Sequence, residues 1–144
     1  MAALCDVETP AYVADLAVLR ANLENAAQIR EQAGCRILLA TKSFALPAVF
    51  PLMREYLDGT TASGLYEARL GHADFGKEVH VYSPAFTEAS FSELLKISDH
   101  IYFNSNEQVR RFGPRVKALG KQVGIRINPG YSKATVGGHL YDPC

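Results

Sequence analysis

Arg36-Ile37-Leu38-Leu39-Ala40-Thr41-Lys42 is a run of apolar residues of strand length that ends in a lysine. It lacks the in-and-out alternation of a strand with one wet face, so it reads as a strand covered on both sides, as in a parallel sheet. Its flanks fit that reading. Upstream, Asp15 is a good N-cap, and Leu16, Leu19, Leu23, Ala26 and Ala27 follow at helical spacing up to Gly34. The short apolar stretch Ala11 to Ala14 before them is expected to be a strand. Downstream, a helix is expected to start near Leu46 with Pro47 in its first turn, burying Val49, Phe50, Met53 and Leu57.

The alternation then repeats. Strands are expected at Gly59 to Ala62, Glu78 to Tyr82, His100 to Phe103 and Gln122 to Ile127. Helices are expected from about Leu65 to Gly71, through Phe91, Leu94 and Leu95, and through Val109, Phe112, Val116 and Leu119. Ser105 followed by Gln108 has the spacing of a capping box at the start of the last helix. Such a series implies a parallel sheet with right-handed crossovers, either open and doubly wound or part of a (βα)8 barrel. No GxGxxG or GxxxxGK[ST] turn follows any of the strands, which removes the main support for a nucleotide-binding open sheet. A barrel needs roughly 200 to 250 residues, so 144 residues predict an unfinished barrel and a truncated chain.

Composition narrows the function. Fifteen Lys plus Arg against fifteen Asp plus Glu give no net charge, so there is no positive field to attract nucleic acid or an anionic membrane. No secretory leader or membrane-spanning run is present in the sequence, and a cytoplasmic protein is expected. Cys5, Cys35 and Cys144 are too widely and irregularly spaced for a disulfide framework or a CxxC metal knuckle. His72, His80, His100 and His139 show no ligand spacing with one another or with Cys and carboxylates, so no metal is expected.

In parallel α/β proteins the chemistry gathers on loops leaving the carboxyl ends of the strands. Lys42 stands at the first such end, just before apolar Phe44-Ala45-Leu46. Desolvation there would favour the neutral amine that condensation with an aldehyde requires; the plainer alternative is a lysine snorkelling at a sheet rim. At the next end, Ser63 is expected to cap a helix and Glu67 to sit in its first turn, with Glu67 also able to orient an ammonium near Lys42. Tyr82-Ser83-Pro84 and Asn104-Ser105 read mainly as turn and capping residues. Arg126 falls within the apolar stretch Val123 to Ile127, where a guanidinium needs an anionic or strongly polar partner unless it faces solvent.

Several longer strings resemble the carboxynorspermidine (carboxyspermidine) decarboxylases: Leu39-Ala40-Thr41-Lys42-Ser43-Phe44-Ala45, Val49-Phe50-Pro51-Leu52-Met53-Arg54-Glu55-Tyr56-Leu57-Asp58-Gly59-Thr60-Thr61-Ala62-Ser63, and Glu67-Ala68-Arg69-Leu70-Gly71. The likeness continues through Glu78 to Ala85, Phe103-Asn104-Ser105, Arg126-Ile127-Asn128-Pro129 and Leu140 to Cys144, covering nearly the whole chain. It implies fold type III of the pyridoxal-phosphate (PLP) enzymes, with a (βα)8 barrel of the alanine racemase-like type followed by a β-domain. Residues 1–144 would then be the N-terminal portion of the PLP-binding barrel, about its first five strands, without the β-domain. The resemblance further implies a homodimeric carboxy-lyase of polyamine (spermidine) biosynthesis, with PLP as cofactor and a small polyamine as substrate. Lys42 would be the cofactor lysine, and Ser63, Glu67 and Arg126 would be cofactor-binding. The family's ring-stacking histidine, glycine-rich phosphate cup and pyridine-pairing acid are not in these residues, and Ser132 to His139 departs from the family pattern. A non-catalytic PLP-binding protein of the homeostasis type and a degenerate regulatory homologue are the alternatives.

Overall fold

The computed structural model describes residues 7–131. Helix α1 (Leu16–Ala33) precedes strand β1 (Leu38–Ala40). A 3-10 turn, Pro47–Val49, leads into α2 (Phe50–Tyr56), followed by β2 (Gly59–Ala62) and α3 (Leu65–Leu70). A π-helical turn, Gly71–Phe75, extends α3, and β3 (Glu78–Tyr82), α4 (Glu88–Ile97), β4 (His100–Phe103), α5 (Asn106–Ala118) and β5 (Gln122–Ile125) complete the series. Local chemistry sets the ends of α1. The Asp15 carboxylate accepts from the amides of Ala17 and Val18, and Gly34, at φ 61°, takes the left-handed turn that stops the helix.

All five strands are parallel, and their order in the sheet is their order in the chain. A doubly wound sheet reverses direction at a switch point; this one does not. Right-handed crossovers that always advance the same way put every helix on one face, which is the arrangement of a barrel wall. The burial pattern agrees. Leu39, Thr60, Ala62, Val79, Val81, Ile101 and Phe103 are buried toward the helices, while alternate residues point to the other face. The core runs along the helix side in three linked clusters. Leu39 joins Leu23, Phe50, Met53 and Phe75; Val79 and Val81 join Ala68 and Leu94; Ile101 and Phe103 join Phe91, Phe112 and Val116.

The sequence reading thus holds for a partial (βα)8 barrel of five strands, with three corrections of detail. Ala11 to Ala14 forms no strand: Tyr12 is 100% and Val13 60% exposed, and without a neighbouring strand an apolar run has no ladder to join. The last strand stops at Ile125 rather than Ile127, although the Arg126 amide still donates to the Phe103 carbonyl at 2.8 Å. Helix α3 is capped by Gly64, whose neighbour Ser63 makes no side-chain cap. Among the described residues no helix is long and apolar enough to cross a membrane, and Cys35 is an exposed free thiol. Cys5, Cys144 and the segment Ser132 to His139 lie outside the described residues.

Candidate active site at the carboxyl ends of the strands

The loop leaving β1 turns sharply at Thr41 to Ser43, where the Ser43 hydroxyl donates to the Ala40 carbonyl at 2.7 Å. Lys42 is carried on that turn and is exposed. This corrects the expected desolvation: Phe44, Ala45 and Leu46 line a shallow apolar groove with Tyr12 and Val13 instead of covering the amine. Position distinguishes Lys42 from the other described lysines. The Lys77 ammonium donates to the Leu57 carbonyl just before β3, and the Lys121 ammonium to the carbonyls of Leu95, Lys96 and Ser98 just before β5. Both serve the amino-terminal rim. Lys96 and Lys117 ride on α4 and α5, which leaves Lys42 as the one described lysine on a loop at the carboxyl ends.

Glu67 ties the first two strand ends together. Its Oε2 accepts from the Thr41 hydroxyl at 3.0 Å and from the Ser63 amide at 2.9 Å. Thr41, only 3% exposed, also donates toward the Thr61 carbonyl at 3.2 Å. The single hydroxyl proton is therefore shared between two acceptors, and Thr41, next to Lys42 in the chain, is held by strand β2 and helix α3 at once. Ser63 and Glu67 are brought together, but through the serine amide rather than its hydroxyl. Glu67 and Lys42 form no ion pair among the described residues; Glu67 orients the turn that carries Lys42.

Arg126 lies three strand ends further on, just past β5. Its Nη1 donates to the Tyr82 hydroxyl at 2.8 Å, and that hydroxyl donates to the Asn104 Oδ1 at 2.7 Å. The guanidinium is exposed, as the solvent-facing alternative had it, and its hydrogen-bond partner is the phenol of Tyr82 on β3. Sequence reasoning treated Tyr82 and Asn104 as turn formers and missed the connection. The one available signal was that Tyr82 has the same parity along β3 as His80, which puts both on the face turned away from the helices. Ser105 caps α5, its hydroxyl accepting from the Gln108 amide at 3.2 Å. The reciprocal half of the expected capping box is not formed: Gln108 Oε1 accepts from the Asn104 amide, one residue earlier than the cap, and its Nε2 donates to the Pro84 carbonyl.

Deeper on the same face, Glu78, His80 and His100 form a cluster that the linear spacing had concealed. The two imidazoles are stacked with centroids 3.9 Å apart and planes 9° from parallel, because His80 and His100 are paired in register across β3 and β4. Glu78 Oε2 stands 3.2 Å from His80 Nε2 and 3.9 Å from His100 Nε2, and Tyr102 lies 3.3 Å from His80 Nδ1. Three potential ligand groups, a carboxylate and two imidazoles, within 4.8 Å invite a metal reading. Near-parallel rings, however, aim their lone pairs alongside each other rather than at one point, so coordination would require the stack to open. Burial and then the charge of His80 hold His100 below the usual histidine range, against the pull of Glu78 and Asp99. Burial would raise Glu78, but hydrogen bonds from His80 and Arg36, with the charges of Arg36 and His100, outweigh it and hold the carboxyl below its ordinary range.

No model of a known protein family matches the chain. It is 46% identical over 137 residues to a carboxynorspermidine/carboxyspermidine decarboxylase of Herminiimonas arsenicoxydans, an alignment covering 95% of this chain and 36% of the relative. A carboxyaminopropylagmatine decarboxylase of Synechocystis is 38% identical over 141 residues, 98% of this chain and 36% of the relative. Among solved structures, carboxynorspermidine decarboxylase from Campylobacter jejuni, complexed with norspermidine, superposes with a TM-score of 0.83 at 38% identity, over 90% of this chain and 35% of that one. A D-threonine aldolase of Filomicrobium marinum, at 21% identity and TM-score 0.75, covers 91% of this chain and 37% of its own and shares the fold. The chain is therefore homologous, along nearly its whole length, to about a third of these decarboxylases.

Proposed function

We propose that this chain is the lysine-bearing part of the barrel of a PLP-dependent decarboxylase acting on carboxynorspermidine or carboxyspermidine. The observation that carries the reading is the placement of Lys42: it stands on the turn after the first barrel strand, and the other described lysines lie on the opposite rim or on helices. The residues present suit an anionic aldehyde cofactor. Lys42 supplies an accessible amine to hold it covalently, and Arg126 offers a cation whose recorded partner is a neutral hydroxyl. Ser63 and Glu67 define the edge of the site beside Lys42.

Bound PLP supplies the electron sink that makes loss of carbon dioxide from an amino-bearing carbon possible. The protein's own work is binding and orientation. Lys42 fixes the cofactor in place, Glu67 and Thr41 fix the turn from which Lys42 reaches it, and Arg126 opposes negative charge. Glycine-rich phosphate binding, the acid that pairs with the pyridine nitrogen and the β-domain would come from outside these residues, as would the second subunit of a cytoplasmic homodimer. The protein would be an enzyme of polyamine synthesis releasing norspermidine or spermidine.

A specific observation widens the substrate question: one relative is named for carboxyaminopropylagmatine. The deciding experiment is to incubate the intact protein and PLP with each of carboxynorspermidine, carboxyspermidine and carboxyaminopropylagmatine, and to measure carbon dioxide and the amine product. Turnover of either of the first two supports the proposal. Turnover of the third alone moves the substrate assignment, and cofactor uptake with no turnover of any favours a non-catalytic PLP-binding protein.

A further inference from the structure

Three adjacent strand ends are cross-linked by side chains in one direction. Arg126, just beyond β5, donates from Nη1 to the hydroxyl of Tyr82, the last residue of β3, and Tyr82 donates to Oδ1 of Asn104, just beyond β4. A phenol has one proton and two lone pairs. The guanidinium has donors only, so the phenol oxygen must accept from it; the one phenol proton is left to donate to Asn104, which fixes the rotation of the hydroxyl and so the direction of the lone pair that Arg126 meets. The backbone beneath is held independently, since Gln108 accepts from the Asn104 amide at 2.7 Å and donates to the Pro84 carbonyl at 2.8 Å. The loops leaving β3 and β4 are thus joined, and the two residues that steer Arg126 stand on a shared support.

Charge gives this arrangement a direction. Arg30, Arg36, Arg69, Arg111 and Arg115 each pair with a carboxylate. Arg20, Arg54, Arg110 and Arg126 pair with none among the described residues; Arg20, which donates to the Tyr56 hydroxyl, Arg54 and Arg110 ride on α1, α2 and α5, so Arg126 is the one of the four at the carboxyl ends of the strands, where it contacts the hydroxyl and ring of Tyr82. A neutral partner fixes one nitrogen while leaving the positive charge uncompensated and the outer N–H donors available. We infer that Tyr82 and Asn104 are positioning residues that aim Arg126 at an anionic oxygen of the ligand bound beside Lys42. This inference rests on the proposed PLP site and adds to it two residues that neither touch the cofactor lysine nor serve the helix-side core.

The test is a double-mutant cycle on cofactor affinity in the intact protein, read as the Kd of PLP by absorbance and fluorescence titration, with thermal midpoints as the folding control. Tyr82→Phe keeps the ring and removes only the hydroxyl. It is expected to weaken PLP binding about threefold to tenfold, with Asn104→Leu weakening it similarly and the thermal midpoint moving little. In an Arg126→Ala background the Tyr82→Phe change is expected to have no further effect, because a residue that acts through another loses its influence when the other is gone. In cofactor-free protein, the Arg126 Nη–H resonances should exchange faster with water after Tyr82→Phe. Equal losses with and without Arg126, or no loss at all, overturn the assignment while leaving the Lys42 site intact. A wild type that takes up no PLP overturns the Lys42 reading, and this inference falls with it.

Discussion

Replacing Glu67 with alanine removes the side-chain acceptor shared by the ends of β1 and β2. The Ser63 amide loses a bond of 2.9 Å and the Thr41 hydroxyl one of 3.0 Å. Bonds to a charged acceptor contribute about 1.5–3 kcal/mol when shielded, and both must be discounted. Ser63 is exposed, so water takes over its amide and the loss there is about 1 kcal/mol. Thr41 keeps the Thr61 carbonyl at 3.2 Å, which limits its loss to about 0.5 kcal/mol. The sum, about 1–2 kcal/mol, corresponds to a fall of about 5 °C in midpoint for a chain of this size. Glu67→Gln retains an oxygen in the same place and should cost less than about 0.5 kcal/mol. Urea unfolding of the three proteins at neutral pH measures this. The rate of Lys42 modification by PLP should fall in the alanine variant and stay near wild type in the glutamine variant. Alanine and glutamine variants with the same stability and the same rate would refute the tie.

Thr60→Val is expected to stabilise the protein by about 1 kcal/mol in urea unfolding, since the Thr60 Oγ1 is buried with no hydrogen-bond partner and valine has nearly the same shape; a destabilised variant would show that the hydroxyl has an unseen role. Acid should weaken the fold in two stages. His100 is held below 6.5, so the unfolded chain takes up a proton there before the folded one does, and stability declines as pH falls below 6.5. Glu78, held below 4.5, adds stability that is fully present above 4.5 and is lost as pH drops further. Unfolding free energy measured against pH should lose its upper stage in His100→Gln and keep the lower; an unchanged upper stage would contradict the assignment. Lys42→Ala should abolish the near-visible absorbance of the bound cofactor without lowering the thermal midpoint, because the exposed side chain makes no recorded contact that supports the fold.

The barrel was legible because its signals are local or periodic. The bounds of β2, β3 and β4 coincide with those expected, Asp15 and Gly34 punctuate α1, and the run ending in Lys42 is short, apolar and followed by a turn. What the linear pattern could not carry was pairing. Ala11 to Ala14 has strand-like composition but no neighbour, so it stays unpaired. His80 and His100 are twenty positions apart and meet only because β3 and β4 are in register. The link from Arg126 through Tyr82 to Asn104 likewise depends on strand order. Lys42 stands at a strand end, as read, and is exposed there, as the rim alternative had it; the apolar residues next to it in sequence line a groove with Tyr12 and Val13.

The measurement that reaches the central proposal most directly is chemical mapping. The intact protein is incubated with PLP, reduced with borohydride, digested, and the modified lysine identified by mass spectrometry. Modification of Lys42 is the predicted result. Label on Lys77, Lys96, Lys117, Lys121 or Lys133, or on no lysine, would contradict it.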